Sequence, residues 1–331
     1  MTETLFTYLT DLPQPDQQAR GELTARVDDI LRPAGALQRL DELAIFMAGW
    51  QASSVPKVDK PTILIFASDH GVAAAGVSAY PPSVTEAMMS AFESGLSTVN
   101  AFARISGATV SAVDVGIGRP TGDIRFEAAM SEQRFLEALD SGREAVAASD
   151  SDLLVLGEMG IGNTTPSAAI SAALLGGDVS DWVGRGTGVD DEGLRRKRDA
   201  VHQAVQRVDG AEPGEILRQL GGAEIVAIAG AIIEARHRRI PVVLDGFVVA
   251  AAAAPLHAYN PAALQHCLAA HQSAEIGHRQ LLEYVGLEPL LNLNFRLGEA
   301  SGGAAVIPLI AMACAAVNEV PTFAEFFGSE T

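Results

Sequence analysis

Cysteine is scarce: the 331 residues contain two, Cys267 and Cys314, both in alanine-rich surroundings. They offer neither a metal-ligand spacing nor a disulfide framework, which suits a reduced, cytoplasmic setting. Aromatic residues are also few, 5% against 48% hydrophobic, so the core must be built from Ala, Val, Ile and Leu. Basic residues are outnumbered, 23 Lys and Arg against 41 Asp and Glu, for a formal charge of −18. Such a surface repels nucleic acid and anionic membrane, so neither is expected as a partner. A local cluster of backbone N–H groups can still hold a small anion. The most apolar run, AAVIPLIAMACAAV from Ala304 to Val317, contains Pro308 and falls short of the about 20 residues of a membrane span. It is expected to be a buried helix. The N-terminal MTETLFTYLTDLPQPDQQ lacks a basic start and an apolar block, so no signal peptide is expected.

What the chain does contain is a series of β-branched apolar runs that end in small or acidic residues. PTILIFASDHG (61–71), ATVSAVDVGIG (108–118), DLLVLGEMG (152–160) and IPVVLDGF (240–247) are each followed by a helix-length segment. That alternation predicts βαβ units and a parallel sheet. Asp69, His70, Asp114, Glu158 and Asp245 stand at the carboxyl ends of these strands, the rim where such folds place ligands. ELTARVDDILR and LQRLDELAIFMAGWQ predict two N-terminal helices, and MSEQRFLEALDSGREAVAAS (130–149) an amphipathic one.

GEMGIGNTT, Gly157 to Thr165, joins a predicted strand to a helix whose first position could be Pro166. Its glycine spacing is that of a phosphate-cradling loop, in which converging N–H groups and the helix start favour an anion. A tight turn without a ligand is the plainer alternative. Asn163 occupies the slot of the loop's usual lysine, and Glu158 adds a negative charge. Both argue against a triphosphate. A carboxylate there suits a cationic, oxocarbenium-like sugar, or else merely caps local N–H groups. Lys197, within VGRGTGVDDEGLRRKRDAV (183–201), is a candidate for the missing point charge, although most such charge runs are solvated helix faces. Glu299, between glycines in FRLGEASGGAAVIPLI (295–310), has the dry setting that raises a carboxyl pKa toward a useful base; a helix cap is the competing reading. His70 after Asp69 is expected to be a structural hydrogen-bonding pair. The histidines of HQSAEIGH (271–278) are seven apart, unlike the HExxH spacing, so no metal is assigned.

Six blocks, ASDHGVAAAGVSAYP, LGEMGIGNTT, GRGTGVDDEGLRRK, IPVVLDGF, HQSAEIGH and RLGEASGG, occur in the order and spacing of one family. The chain resembles the nicotinate-nucleotide–dimethylbenzimidazole phosphoribosyltransferases of cobalamin lower-ligand synthesis, from about Leu31 to the C-terminus. The resemblance implies an α/β fold with a doubly wound, Rossmann-like parallel sheet. An α/β core of about 56–255 would carry a smaller helical part and active-site segment from about 1–55 and 256–331, all in one catalytic unit. It implies a cytoplasmic homodimer that needs no cofactor. Nicotinate mononucleotide and an aromatic base would be the substrates, an α-ribazole 5′-phosphate and nicotinate the products. Gly160, Gly162, Asn163, Thr164 and Lys197 would bind the phosphate, with Glu158 near the ribose and Glu299 as general base. The 77–89 loop, with Ser78, Tyr80 and Met88, would line the base pocket.

This chain departs from the family pattern at Ser68, Ala87, Ala223, Gln272 and Ile276, and position 87 is expected to face the base. These changes leave the phosphate loop and Glu299 intact. They bear on the acceptor, for which a purine or a phenolic is the alternative to a benzimidazole. On the residues alone, a P-loop hydrolase and a non-catalytic nucleotide-binding module stay open.

Overall fold

A computed structural model describes Leu5 and residues 7–328. Six strands form one parallel sheet: β1 (Pro61–Ser68), β2 (Thr109–Gly116), β3 (Leu153–Met159), β4 (Val242–Leu244), β5 (Cys267–His271) and β6 (Pro289–Leu291). Their order is β2-β1-β3-β4-β5-β6, with every pairing parallel. The four predicted strands are present. β5 and β6 are additional, and both lie beyond the residue-255 bound expected for the α/β core. CLAAH is short, with alanine at two of its five positions, and PLL is three residues starting with proline, so neither carries the β-branched pattern of a strand. Their partners impose the extended form: β5 pairs with β4, and β6 with β5.

Helices cover both faces, so the central strands bury residues of both parities. Leu64 and Phe66 of β1, Leu154 and Leu156 of β3, and Leu244 of β4 join a cluster with the Glu132–Ala147, Thr164–Leu175, Ala223–His237 and Phe247–Tyr259 helices. Ile63, Ile65, Val155 and Val243 point the other way, toward the Thr98–Ser106 and Ser301–Asn318 helices. The amphipathic 130–149 segment does form a helix; Phe135, Ala138, Leu139 and Val146 are its buried stripe.

The smaller helical part is assembled from both chain ends. Leu23 and Ile30, and Leu43, Ala44 and Ala48 of the Gln38–Gln51 helix, pack on Ala313 and Val317 of the Ser301–Asn318 helix. By length and composition that last helix could cross a membrane, but it packs here as a core helix with 56% of its residues buried. Pro308 lies within it, where the proline forgoes one hydrogen bond.

Candidate active site

The strand order reverses between β1 and β3, where β2 lies to one side and all later strands to the other. Open parallel sheets bind ligands outside the carboxyl ends of the strands at such a reversal. A cavity of about 390 Å³ opens there. The segment after β1 supplies Ser78, Tyr80, Val84 and Met88 to its wall, and the turn after β3 supplies Glu158 and residues 159–164. Lys197 and Glu299 line it as well, so the phosphate-turn, carboxylate, lysine and base-pocket candidates border one space, whereas the strand-end residues Asp69, His70, Asp114 and Asp245 do not.

The turn after β3 bends at Gly162, whose φ of +90° only glycine adopts without strain. The Thr164–Leu175 helix begins two residues before the expected Pro166, which sits in the first turn, where its missing N–H still costs little. Asn163 is committed inside the protein. Its backbone N–H donates to the Gly160 carbonyl at 3.1 Å, and its side-chain amide donates to a Glu158 carboxylate oxygen. Among the described residues, the N–H groups of Gly162 and Thr164 remain for a ligand.

Lys197 is buried on the Asp191–Arg207 helix. Its ammonium donates to Thr164 Oγ1 at 2.9 Å and to the Gly184 carbonyl at 3.1 Å. An ammonium has three donors, so one is left to point at an anion beside the turn. Burial pulls its pKa down, and the Glu275 carboxylate opposes that pull. The charge Asn163 cannot provide therefore arrives from another helix, tied to the loop through Thr164.

Glu158 and Glu299 come together because their segments touch. A side chain at Gly298 would meet Glu158 Oε1 at 2.1 Å, and one at Gly157 would meet the Ala300 nitrogen at 2.4 Å. The 298–300 segment thus lies across the end of β3, closer than any residue but glycine allows. Burial pushes the Glu158 carboxyl up to about 8, with Glu224, Asp245 and Glu299 adding to the rise and Asn163 resisting it. Burial raises Glu299 as well. Glu299 and Ala300 both hold left-handed backbone, φ 62° and 61°, at a cost of about 1–3 kcal/mol each. A pair of strained non-glycine residues at the mouth of a cavity is a feature of sites where geometry is held for function.

Three expectations need correction. Ala87 is exposed and does not line the cavity; Val84 and Met88 of its helix do. Residues 84 and 88 are one helical turn apart, and 87 falls off that stripe. His70 does not pair with Asp69. Its Nε2 meets Glu224 Oε1 at 2.8 Å, and the Ser68 hydroxyl donates to the other oxygen of Glu224, all three being buried under Gly160. Asp69 instead accepts from the Gly118 N–H at 2.8 Å. HQSAEIGH, read in the sequence for metal spacing and as a family block but with no site residue assigned in it, contributes His271, Ser273 and Glu275 to the cavity wall. Gln272 and Ile276, the departures within it, do not line the cavity. Sequence reasoning also passed over Arg185, Phe247 and Arg296, which line it too. The one signal for Arg296 was its place three residues before Glu299.

The phosphoribosyltransferase family model matches residues 12–326. A nicotinate-nucleotide–dimethylbenzimidazole phosphoribosyltransferase of Mesorhizobium japonicum is 47% identical over 322 residues, 97% of this chain and 96% of the relative. The enzyme of that name from Methylorubrum extorquens is 48% identical over 316 residues, 95% and 92% of the two chains. A crystal structure of CobT from Thermus thermophilus superposes with a TM-score of 0.89 at 39% identity, covering 95% of this chain and all of that one. Together with the parallel sheet and its cavity, these likenesses place the chain in the nicotinate-nucleotide–dimethylbenzimidazole phosphoribosyltransferase family.

Proposed function

We propose that this chain transfers the 5-phosphoribosyl group of nicotinate mononucleotide to 5,6-dimethylbenzimidazole or a related base, giving α-ribazole 5′-phosphate and nicotinate. The observation that carries the proposal is the convergence, in one cavity, of a lysine-free phosphate turn, Lys197 and two buried carboxylates. A monophosphate needs fewer donors than a triphosphate. The free N–H groups of Gly162 and Thr164 and the third donor of Lys197 are sufficient for it.

The ribotide places its phosphate at that turn and its reacting carbon between Glu158 and Glu299. A lone pair on one ring nitrogen of the benzimidazole attacks the anomeric carbon. The carbon–nitrogen bond to the pyridinium breaks, and its electron pair returns to the pyridine ring. The leaving group departs neutral at nitrogen and needs no acid. Positive charge on the incoming ring makes its second N–H acidic, and Glu299 takes that proton. A positioned base of this kind contributes about 10²–10⁴-fold. Glu158 faces the positive charge that develops at the sugar; burial holds its carboxyl up to about 8 in the empty site, and that developing charge favours the ionised form, which in turn lowers the barrier. Holding two small reactants against each other supplies much of the remainder.

Ser78, Tyr80 and Met88 form the acceptor side of the pocket. The chain works as a single catalytic unit, in the cytoplasm and as a homodimer by likeness to its family, without nucleic acid or membrane as partner. The decisive experiment incubates the protein with nicotinate mononucleotide and a mixture of benzimidazoles, purines and phenolics, then identifies the ribosylated product by mass spectrometry. Absence of any ribotide product together with tight nucleotide binding would replace the enzyme by a binding module.

A further inference from the structure

Asp245 follows β4 at its carboxyl end and is buried, yet it does not line the cavity. Its Oδ1 accepts the Gly303 N–H at 2.8 Å. The first turn of the Ser301–Asn318 helix is thus fastened to a carboxylate from another strand. That helix has no cap of its own, because its N-cap is Ala300, which has no side-chain oxygen. The fastened residues adjoin the left-handed Glu299–Ala300 pair, whose conformation persists only if its surroundings over-determine it.

The packing leaves this turn no room for a side chain at either glycine. A side chain at Gly302 would meet His271 Nδ1 at 2.0 Å, and one at Gly303 would meet Val155 Cγ1 at 2.3 Å. His271 Nδ1 stands 3.8 Å from Asp245 Oδ1 and has no hydrogen-bond partner, nor does Asp245 Oδ2. A buried carboxylate oxygen without a partner is costly. Asp245 is kept even so, where an uncharged residue would bury at less expense.

We propose that Asp245 is a positioning residue for the transfer: by accepting the Gly303 N–H it anchors the first turn of the Ser301–Asn318 helix, and so holds the strained Glu299–Ala300 pair before it in the arrangement that points Glu299 at the incoming base. The inference rests on the phosphoribosyl transfer argued above. Asp245 touches neither substrate and acts through Glu299. It leaves the phosphate turn on β3 untouched, so its loss separates turnover from ribotide binding.

The test compares Asp245→Asn, Asp245→Ala and their combinations with Glu299→Gln. Asp245→Asn keeps size and one acceptor; its kcat should fall about tenfold while the KM for nicotinate mononucleotide stays within about twofold. Asp245→Ala should lose about a hundredfold in kcat. The double variant Asp245→Asn/Glu299→Gln should turn over at the residual rate of Glu299→Gln alone, since residues acting through one group are not additive. Amide exchange at Ala300, Gly302 and Gly303 should quicken in Asp245→Asn, which gives a reading even if Asp245→Ala does not fold. Wild-type kcat in Asp245→Asn, a loss that multiplies onto that of Glu299→Gln, or unchanged amide exchange overturns the proposal. A wild-type protein that makes no ribotide from any base overturns the transfer reaction itself, a distinct outcome.

Discussion

The Glu158 carboxylate accepts its hydrogen bond from the side chain of Asn163, the residue that fills the lysine position of the phosphate loop. One residue thus stands in place of the cation that would grip a triphosphate and holds the carboxyl group proposed to face the sugar. Asn163→Lys tests both halves. The new ammonium would pair with Glu158 and cancel its charge, so kcat/KM for transfer should fall at least a hundredfold. Magnesium-dependent ATP hydrolysis should not appear; its appearance would revive the P-loop hydrolase.

Glu299→Gln keeps the shape of the side chain and removes its basicity. Turnover should drop by about 10²–10⁴-fold, while calorimetry should find the affinity for nicotinate mononucleotide within about threefold of wild type. Near-normal turnover would remove Glu299 from the role of base and leave it as part of the strained turn.

Lys197→Ala deletes the cation that is hydrogen-bonded to the proposed phosphate turn through Thr164. The dissociation constant for nicotinate mononucleotide should rise about ten- to a hundredfold. The single-turnover rate of the bound complex should change by much less, because the lysine acts at the phosphate and not at the anomeric carbon. An unchanged dissociation constant counts against the assignment.

Stability of the ligand-free protein should fall as pH rises above about 6.5, the reverse of the usual carboxylate effect. Burial lifts Glu158 to about 8 and Asp245 to about 7, whereas unfolded carboxyls titrate near 4. Burial also holds His266, His271 and His278 neutral down to about 3 to 4, so below about pH 6.5 these histidines bind protons only when unfolded and oppose the carboxyls. Above that pH the folded state binds more protons than the unfolded state, and the slope of stability against pH is negative. The carboxyl contribution is complete below the unfolded pKa and is lost as pH passes 7 to 8. Thermal melting at intervals from about pH 7 to 9 should show this decline, and Glu158→Gln should flatten it. A melting temperature that climbs over that range would contradict the burial of Glu158.

Most of this architecture could be read from the sequence where local pattern and tertiary role agree. The runs of β1, β3 and β4 are near-continuously apolar because both of their faces are covered, β2 at the sheet edge alternates with exposed Thr109, Ser111 and Asp114, and the amphipathic 130–149 segment carries its own stripe. β5 and β6 escaped because short alanine- and proline-containing segments become strands only through a neighbour. The site behaved likewise. Glycine spacing marked the turn after β3 that lines the cavity, and the composition around Glu299 marked a buried carboxylate. Nothing in the order of residues could have paired His70 with Glu224, since those positions meet only through the sheet. Position 87 was misassigned by counting along a motif; the helix phase puts 84 and 88 on the cavity side instead.

The contact between Gly298 and Glu158 has a kinetic consequence. It closes a loop running from a central strand to a turn far along the chain, and loops of that length are slow to close. The phosphate turn can form from neighbouring residues well before this happens. During refolding, recovery of far-ultraviolet signal and ribotide binding should precede recovery of turnover, which returns only with the slowest phase.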